Sequence, residues 1–309
     1  MLKIMICVNP NKDKELNNTR KLLDFLKNYT VSVIMSDIFK RPYFDNPPLS
    51  QTLLKDYRVE YVPEYAAFKK ADLCFVFGGD GTIIKIAKKV AQAGGYILGF
   101  NMGRVGYLAE LEVGEIQLLN ELLSVSSADE IEKLSCVSID SRMMVKCEII
   151  RNERTVFTTN ALNEVVISKG AVSRMAGLEL ICNGKNIINY RADGIIISTP
   201  TGSTAYCMSA GGPIIDPGLD CICAVPVCPY LCLNSGAVVF SGDSTIDVKF
   251  SADKINEAFC TIDGKITKSI YDGDIVRISK ADSSVKLIRV KDIDFYSRLN
   301  DKMNLANNV

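Results

Sequence analysis

The 309-residue sequence contains no histidine and no tryptophan, and its 36 basic and 36 acidic side chains cancel. Without imidazole there is no Ser-His-Asp or Cys-His catalytic arrangement, and the commonest zinc ligand and the usual proton switch near neutral pH are missing. Acid–base chemistry would fall to a carboxylate, Lys, Tyr or Cys. Zero net charge speaks against a broadly basic nucleic-acid binder, so no nucleic-acid partner is expected. No run approaches the ~18 uninterrupted apolar residues of a membrane span. The nearest, residues 221–233, is interrupted by Pro226 and Pro229. C-x-x-C pairs are also missing, although there are eleven cysteines, with Cys207, Cys221, Cys223, Cys228 and Cys232 in one stretch. Residues 1–10 read as a first strand and not as a signal peptide. The cysteines therefore read as reduced, mostly buried thiols of a cytoplasmic protein.

What is present divides into two parts. At ~150 residues per domain the length suggests about two domains. Over the first hundred residues strand-like and helical patterns alternate. Residues 2–8, 31–35, 72–77 and 96–100 read as strands, 14–29 and 82–93 as helices, and 40–55 as a proline-bearing mobile loop. This order implies a parallel sheet with helices packed on it. A further helix is expected at 114–124. From about residue 134 to 278 short β-rich runs follow, at 143–150, 155–157, 163–168, 178–182, 194–198, 237–240 and 245–250. Turn signals such as Asn183-Gly184, Asp263-Gly264 and Asp272-Gly273 punctuate this region. The pattern implies a mainly antiparallel β domain, a sandwich or stacked sheets. Residues 300–309 read as a frayed tail.

Four segments carry chemistry. Gly78-Gly79-Asp80-Gly81-Thr82 lies between a strand and a helix, where thin backbone and a helix N-terminus suit an anion. A carboxylate repels phosphate, so Asp80 fits a metal ion or a reacting hydroxyl, or it simply caps the helix. Asn101 to Leu108, with Gly103 and Gly106, follows a strand end where ligands of a parallel sheet collect, or forms turns and no more. Asn163-Glu164 heads a strand, and because neighbouring residues point to opposite faces, both line one pocket only at a bulge or strand end. Asp193-Gly194 leads through a strand into Ser198-Thr199-Pro200-Thr201-Gly202-Ser203-Thr204-Ala205-Tyr206. Its hydroxyls and backbone N–H groups suit a sugar or base edge, and Tyr206 can stack; a hydroxyl-rich turn is the plainer alternative.

Together and in this order, the four segments resemble the NAD kinases, the Thr-Pro-Thr-Gly-Ser-Thr-Ala-Tyr run most specifically. The resemblance spans nearly the whole chain outside residues 40–55. It implies an α/β N-terminal domain with a Rossmann-like parallel sheet, akin to diacylglycerol kinases and phosphofructokinases, and a C-terminal mainly antiparallel β-sandwich. The expected division is 1–110, completed by 285–309, and 111–284. The implied reaction transfers the γ-phosphoryl of ATP to the adenosine-ribose 2′-hydroxyl of NAD, giving NADP. Asp80 would be the general base. Asp80, Gly81, Asn163, Glu164, Asp193, Thr204, Ala205 and Tyr206 would bind NAD. Gly78, Gly79, Gly81, Thr82 and Asn101 would face ATP phosphates. Mg²⁺ or another divalent cation would be held mainly by the nucleotide, with no protein ligand assigned. A homodimer or homotetramer is implied, and no membrane partner.

One position departs from the family pattern. Where members carry Cys-Pro-His, this chain has Cys228-Pro229-Tyr230, and a phenol carries no positive charge near neutral pH. Two other readings remain open at this level: a dinucleotide sensor without turnover, and a lipid or sugar kinase sharing the Gly-Gly-Asp-Gly loop.

Overall fold

The structure is a computed structural model that describes residues 1–9, 12–41, 47–103, 106–170, 175–230, 236–251 and 258–307. The chain forms two compact units, one of residues 1–141 and 285–309 and the other of residues 142–284. Residues 111–141 were expected with the β-rich part. They join the first unit because Leu111, Leu119, Leu122, Leu123 and Ile131 are buried in its core with Phe75, Phe77 and Phe100.

In the first unit the elements are β1 (Leu2–Val8), α1 (Asn17–Leu26), β2 (Val31–Ser36), β3 (Glu60–Val62), α2 (Glu64–Lys70), β4 (Leu73–Gly78), α3 (Asp80–Ala93), β5 (Tyr96–Asn101), β6 (Leu111–Glu112), α4 (Ala128–Ile131) and β7 (Ser138–Arg142). Sheet order is β3-β2-β1-β4-β5, then the late strand Val285–Arg289, then β7, with β6 beside β5. β1, β2, β3, β4, β5 and β6 pair in parallel. Every residue of β4 is buried, as a central parallel strand covered on both faces requires. The Phe77 and Phe100 rings stack at 4.7 Å across β4 and β5. On α3, Ile83, Ile86, Ala87, Val90 and Ala91 form the buried stripe, at helical spacing.

Three expectations change here. β3 and α2 were not anticipated, being too short to show a clear period. Residues 114–124 form short 3₁₀ turns, Val113–Leu119 and Leu122–Ser124, and not one α-helix. The stretch read as a mobile loop is anchored at Leu54, which is 1% exposed; residues 42–46 lie outside the described residues.

The second unit contains β8 (Val145–Arg151), β9 (Arg154–Ala161), β10 (Glu164–Lys169), β11 (Ala176–Cys182), β12 (Lys185–Ala192), β13 (Gly194–Ser198), α5 (Tyr206–Ser209), β14 (Cys221–Val227), β15 (Val238–Ser241), β16 (Ile246–Ser251), β17 (Ala258–Ile262), β18 (Ile266–Ile270) and β19 (Ile275–Lys280). Two six-stranded sheets form, β15-β14-β13-β10-β17-β18 and β12-β11-β16-β19-β8-β9. Their strand pairs are antiparallel. One core joins Val165, Ile167, Ile195 and Ile197 of the first sheet to Val145, Cys147, Leu178 and Val248 of the second. These are alternate strand positions, as a sandwich demands.

The chain then returns to the first unit with β20 (Val285–Arg289) and α6 (Phe295–Asn307). The expected frayed tail is thus helical through Asn307. Among the described residues no helix is long and apolar enough to cross a membrane. The described cysteines are all free of disulfides; Cys232 lies outside the described residues.

Candidate active site

Gly78 and Asn101, the last residues of β4 and β5, are register partners, and the Met102 N–H donates to the Gly78 carbonyl at 3.1 Å. The two glycine-bearing segments therefore meet at the C-terminal edge of the parallel sheet, where ligands gather. Helix α3 starts from this edge, with Gly79 as its N-cap and Asp80 as its first residue.

Asp80 does not cap its own helix. Its Oδ2 accepts the Tyr107 N–H at 2.8 Å and its Oδ1 accepts the Leu108 N–H at 3.1 Å. Gly106 permits this approach, since a Cβ there would stand 1.9 Å from Asp80 Oδ1. The loop is held from its other side by cations. Arg289 donates to the carbonyls of Tyr107 at 3.2 Å and Leu108 at 3.1 Å, and Arg298 to that of Ala109 at 2.7 Å. Both arginines also bond to Glu110, whose carboxylate is fully buried and takes two further bonds from the Val290 and Lys291 N–H groups. Burial and the nearby Asp80 carboxylate push the Tyr107 phenol above its ordinary range.

Thr82 packs against Gly78, where a Cβ would meet its Oγ1 at 2.3 Å, while a Cβ on Gly81 would meet open space. Asn101 Nδ2 donates to the Gly103 carbonyl at 3.0 Å, and its buried Oδ1 has no partner among the described residues. Lys12, unnoticed in the sequence, brings its ammonium within 3.5 Å of where a Cβ on Gly79 would stand. The positive end of a helix together with an ammonium suits an anion. Arg104 and Val105 lie outside the described residues.

In the second unit, Asn163 immediately precedes β10 and Glu164 begins it, the strand-end placement that neighbouring residues need in order to share a site. Asp263 fixes this point by accepting the N–H groups of Leu162 at 3.0 Å, Asn163 at 2.8 Å and Glu164 at 3.2 Å. Asn163 Oδ1 and Glu164 Oε2 are buried with no partner among the described residues. Burial, then the charge of Asp263, then Cys207, raises the Glu164 carboxyl to about 7.

The hydroxyl-rich run, read as suited to a sugar or base edge or as a plain turn, places several of its hydroxyls in local hydrogen bonds. Thr199 Oγ1 donates to the Leu162 carbonyl at 2.5 Å, Ser198 Oγ to the Thr199 carbonyl at 2.9 Å, and Thr204 Oγ1 to the Thr201 carbonyl at 3.3 Å. Ser203 Oγ accepts the Ile215 N–H at 3.0 Å. Thr199, together with Ser198 donating to the Asn163 carbonyl at 3.3 Å, braces the turn against the head of β10, and Ser203 ties it to Ile215, because a buried hydroxyl must find a partner. Gly202 sits so near that a Cβ would stand 2.1 Å from the Asn163 carbonyl. Thr204 and Ala205 are half-buried, and Tyr206 is 45% exposed with its ring available for stacking. Asp193 forms an ion pair with Lys169 at 2.7 Å. Tyr230 donates its N–H to the Arg191 carbonyl at 2.7 Å and leaves its side chain exposed.

The sequence reading missed Asp263, Glu110, Arg289, Arg298 and Lys302. Asp263 was noted only as half of a turn signal. The others carry no motif, and their partners lie far away along the chain.

Residues 4–131 match the profile of the ATP-NAD kinase N-terminal domain, and residues 162–290 that of the ATP-NAD kinase C-terminal domain. The chain belongs to the NAD kinase family. It is 33% identical over 303 residues to the NAD kinase of Thermoanaerobacter sp. (strain X514), covering 98% of this chain and 99% of that one. It is 35% identical over 241 residues to the Symbiobacterium thermophilum NAD kinase, covering 78% and 81%. The NAD kinase fold is also shared with yeast NADH kinase complexed with NADH, at a TM-score of 0.82 and 21% identity, covering 98% of this chain and 88% of that chain. An NAD kinase from Archaeoglobus fulgidus in complex with ATP gives a TM-score of 0.69 at 23% identity, with 98% and 99% covered.

Proposed function

We propose that this chain transfers the γ-phosphoryl group of ATP to the 2′-hydroxyl of the adenosine ribose of NAD, giving NADP. One observation carries the residue assignment: Asp80 stands at the phosphate-type helix start but turns its carboxylate to the Tyr107 and Leu108 N–H groups instead of capping the helix. A fixed carboxylate beside an anion cradle suits orientation of an acceptor hydroxyl. Phosphoryl transfer through a loose transition state needs alignment and charge neutralisation more than a strong base. Asp80 therefore orients the hydroxyl and takes its proton late.

Gly78, Gly79, Gly81, Thr82 and Asn101 serve the phosphates, supported by the open space over Gly81 and the unpartnered Asn101 Oδ1. Asn163 and Glu164 hold ribose and amide groups of the dinucleotide, supported by their buried, unpartnered oxygens. Thr204 and Ala205 lie along the adenosine, with Tyr206 stacking, and Asp193 serves the nicotinamide end. A divalent cation such as Mg²⁺, carried mainly on the nucleotide, would supply charge neutralisation there. We place the protein in the cytoplasm, in keeping with its free cysteines, and as a homo-oligomer, in keeping with edge strand β15 and exposed Val239 and Leu219.

The test is NADP formation from NAD and ATP by the wild type and Asp80→Asn. The variant is expected to bind NAD and to lose about 10²-fold or more in rate. Unchanged turnover in Asp80→Asn would remove Asp80 from the mechanism.

A further inference from the structure

Helix α6 lays one face on the loop that holds Asp80. Phe295, Arg298 and Lys302 recur at i, i+3 and i+7, so they share that face. The Phe295 ring lies 6.0 Å from the Tyr107 ring, Arg298 bonds to the Ala109 carbonyl and to Glu110, and Lys302 extends over the loop. Its Nζ is 3.6 Å from the centre of the Tyr107 ring and 3.9 Å from Asp80 Oδ2. No motif assigned a role to this lysine, and residues 300–309 read in sequence as a frayed end.

We infer that Lys302 is a positioning residue for Asp80, and that docking of the C-terminal helix is thereby a condition for phosphoryl transfer. The geometry divides the work. The Tyr107 and Leu108 N–H groups fix the carboxylate by hydrogen bonds. Lys302, beyond hydrogen-bond range, adds a positive charge on the Oδ2 side and is itself held over the aromatic face. Cation–π contact and ion pairing both weaken when the ammonium loses its proton. Both contacts therefore favour the charged form of Lys302.

Besides Asp80, the titratable and charged groups on the elements packed here are the Tyr107 phenol under Lys302, Arg298 on the same helix face, Arg289 and Glu110 against the same loop, Asp140 beside Arg289, and the Lys12 ammonium by Gly79. Burial moves the Lys302 ammonium below the usual lysine range, against the pull of Asp80. Burial and the Asp80 charge move the Tyr107 phenol upward.

The inference rests on Asp80 acting on the acceptor hydroxyl, and the test separates the two. Full-length wild type, Lys302→Met, Lys302→Arg, Asp80→Asn and the Asp80→Asn/Lys302→Met double variant are assayed for NADP formation, with thermal unfolding as a fold control. Lys302→Met is expected to lower kcat about tenfold, with KM for NAD and for ATP within about twofold of wild type. Lys302→Arg is expected to restore most of the rate. In the double variant the lysine change is expected to add little to the loss from Asp80→Asn. Wild-type kcat should fall on the alkaline side below the usual lysine range, and this limb should be absent in Lys302→Arg, whose guanidinium does not titrate there. The inference is overturned by wild-type kcat in Lys302→Met. It is equally overturned by a loss confined to KM for ATP, which would make Lys302 a phosphate ligand, or by full additivity in the double variant. If Lys302→Met does not fold, the comparison of wild type with Lys302→Arg decides, and an identical alkaline limb in both overturns it. Failure of the NAD kinase reading itself would appear separately, as no NADP formed by the wild type.

Discussion

Glu164 is buried and Asp263 half-buried at the head of β10, with Asp263 Oδ1 accepting the Glu164 N–H at 3.2 Å while its charge bears on the Glu164 carboxyl. Asp263 spends its oxygens on three backbone N–H groups, whereas Glu164 Oε2 is left without a partner among the described residues. One carboxyl shapes the turn, and the other keeps a buried oxygen without a partner among the described residues.

Stability should record this arrangement. The Glu164 carboxyl is raised from 4.5 to about 7 in the folded chain. The proton it holds favours the folded state fully below pH 4.5, and that contribution is lost as pH rises through 7. Glu164→Gln should therefore be more stable than wild type at pH 8, by on the order of 3 kcal/mol. The gap should shrink toward pH 5. Urea unfolding of the ligand-free protein at both pH values checks this, and an equal gap at both would contradict it.

Dinucleotide binding should follow the same group. A ribose hydroxyl donates better to a carboxylate than to a carboxylic acid. The KM for NAD is expected to fall as pH rises through about 7. Glu164→Gln should lack this inflection, and Asp263→Asn should move it lower by removing the neighbouring charge. In a chain without histidine, such an inflection belongs to no imidazole.

Gly106 should be intolerant of the smallest side chain. Because a Cβ would stand 1.9 Å from Asp80 Oδ1, Gly106→Ala must displace either the loop or the carboxylate. A 1 Å misplacement in an active site is worth about 10²-fold, so kcat should fall by about that factor. Steady-state kinetics beside thermal unfolding would tell a displaced carboxylate from a lost fold.

The buried ion cluster should be costly to break. Arg289→Met removes one of the two arginines paired with fully buried Glu110 and frees the carbonyls of Tyr107 and Leu108. Breaking one partner of a buried pair destabilises by about 3–5 kcal/mol. Chemical denaturation should show that loss, and kcat should fall at temperatures where the variant is still folded, because the loop bonded to Asp80 loses its Arg289 contacts and is left with that of Arg298 to the Ala109 carbonyl.

Much of the fold was legible because local patterns sufficed. Continuous apolar runs marked β4 and β5, and Gly94 beyond Ala93 marked the end of α3. The stretch Glu60–Lys70 was illegible because a three-residue strand and a seven-residue helix are shorter than a reliable period. The boundary at Ser141 was missed because the leucines of 111–131 show their allegiance only in the core they fill.

The sequence by itself determined the chemistry available to this protein. It supplies carboxylates and no imidazole, a glycine loop leading into a helix, and the hydroxyl-rich run, all read from residues close together in the chain. Tertiary structure alone decided how those residues are used. It turned Asp80 from a helix cap into a carboxylate fixed by Tyr107 and Leu108, and set Ser198, Thr199 and Ser203 to bracing the turn. It also brought Arg289, Arg298 and Lys302 from the chain's last quarter to the loop beside Asp80. The physical reason is that hydrogen bonds and ion pairs act over a few ångströms of space, and sequence separation carries no record of that distance.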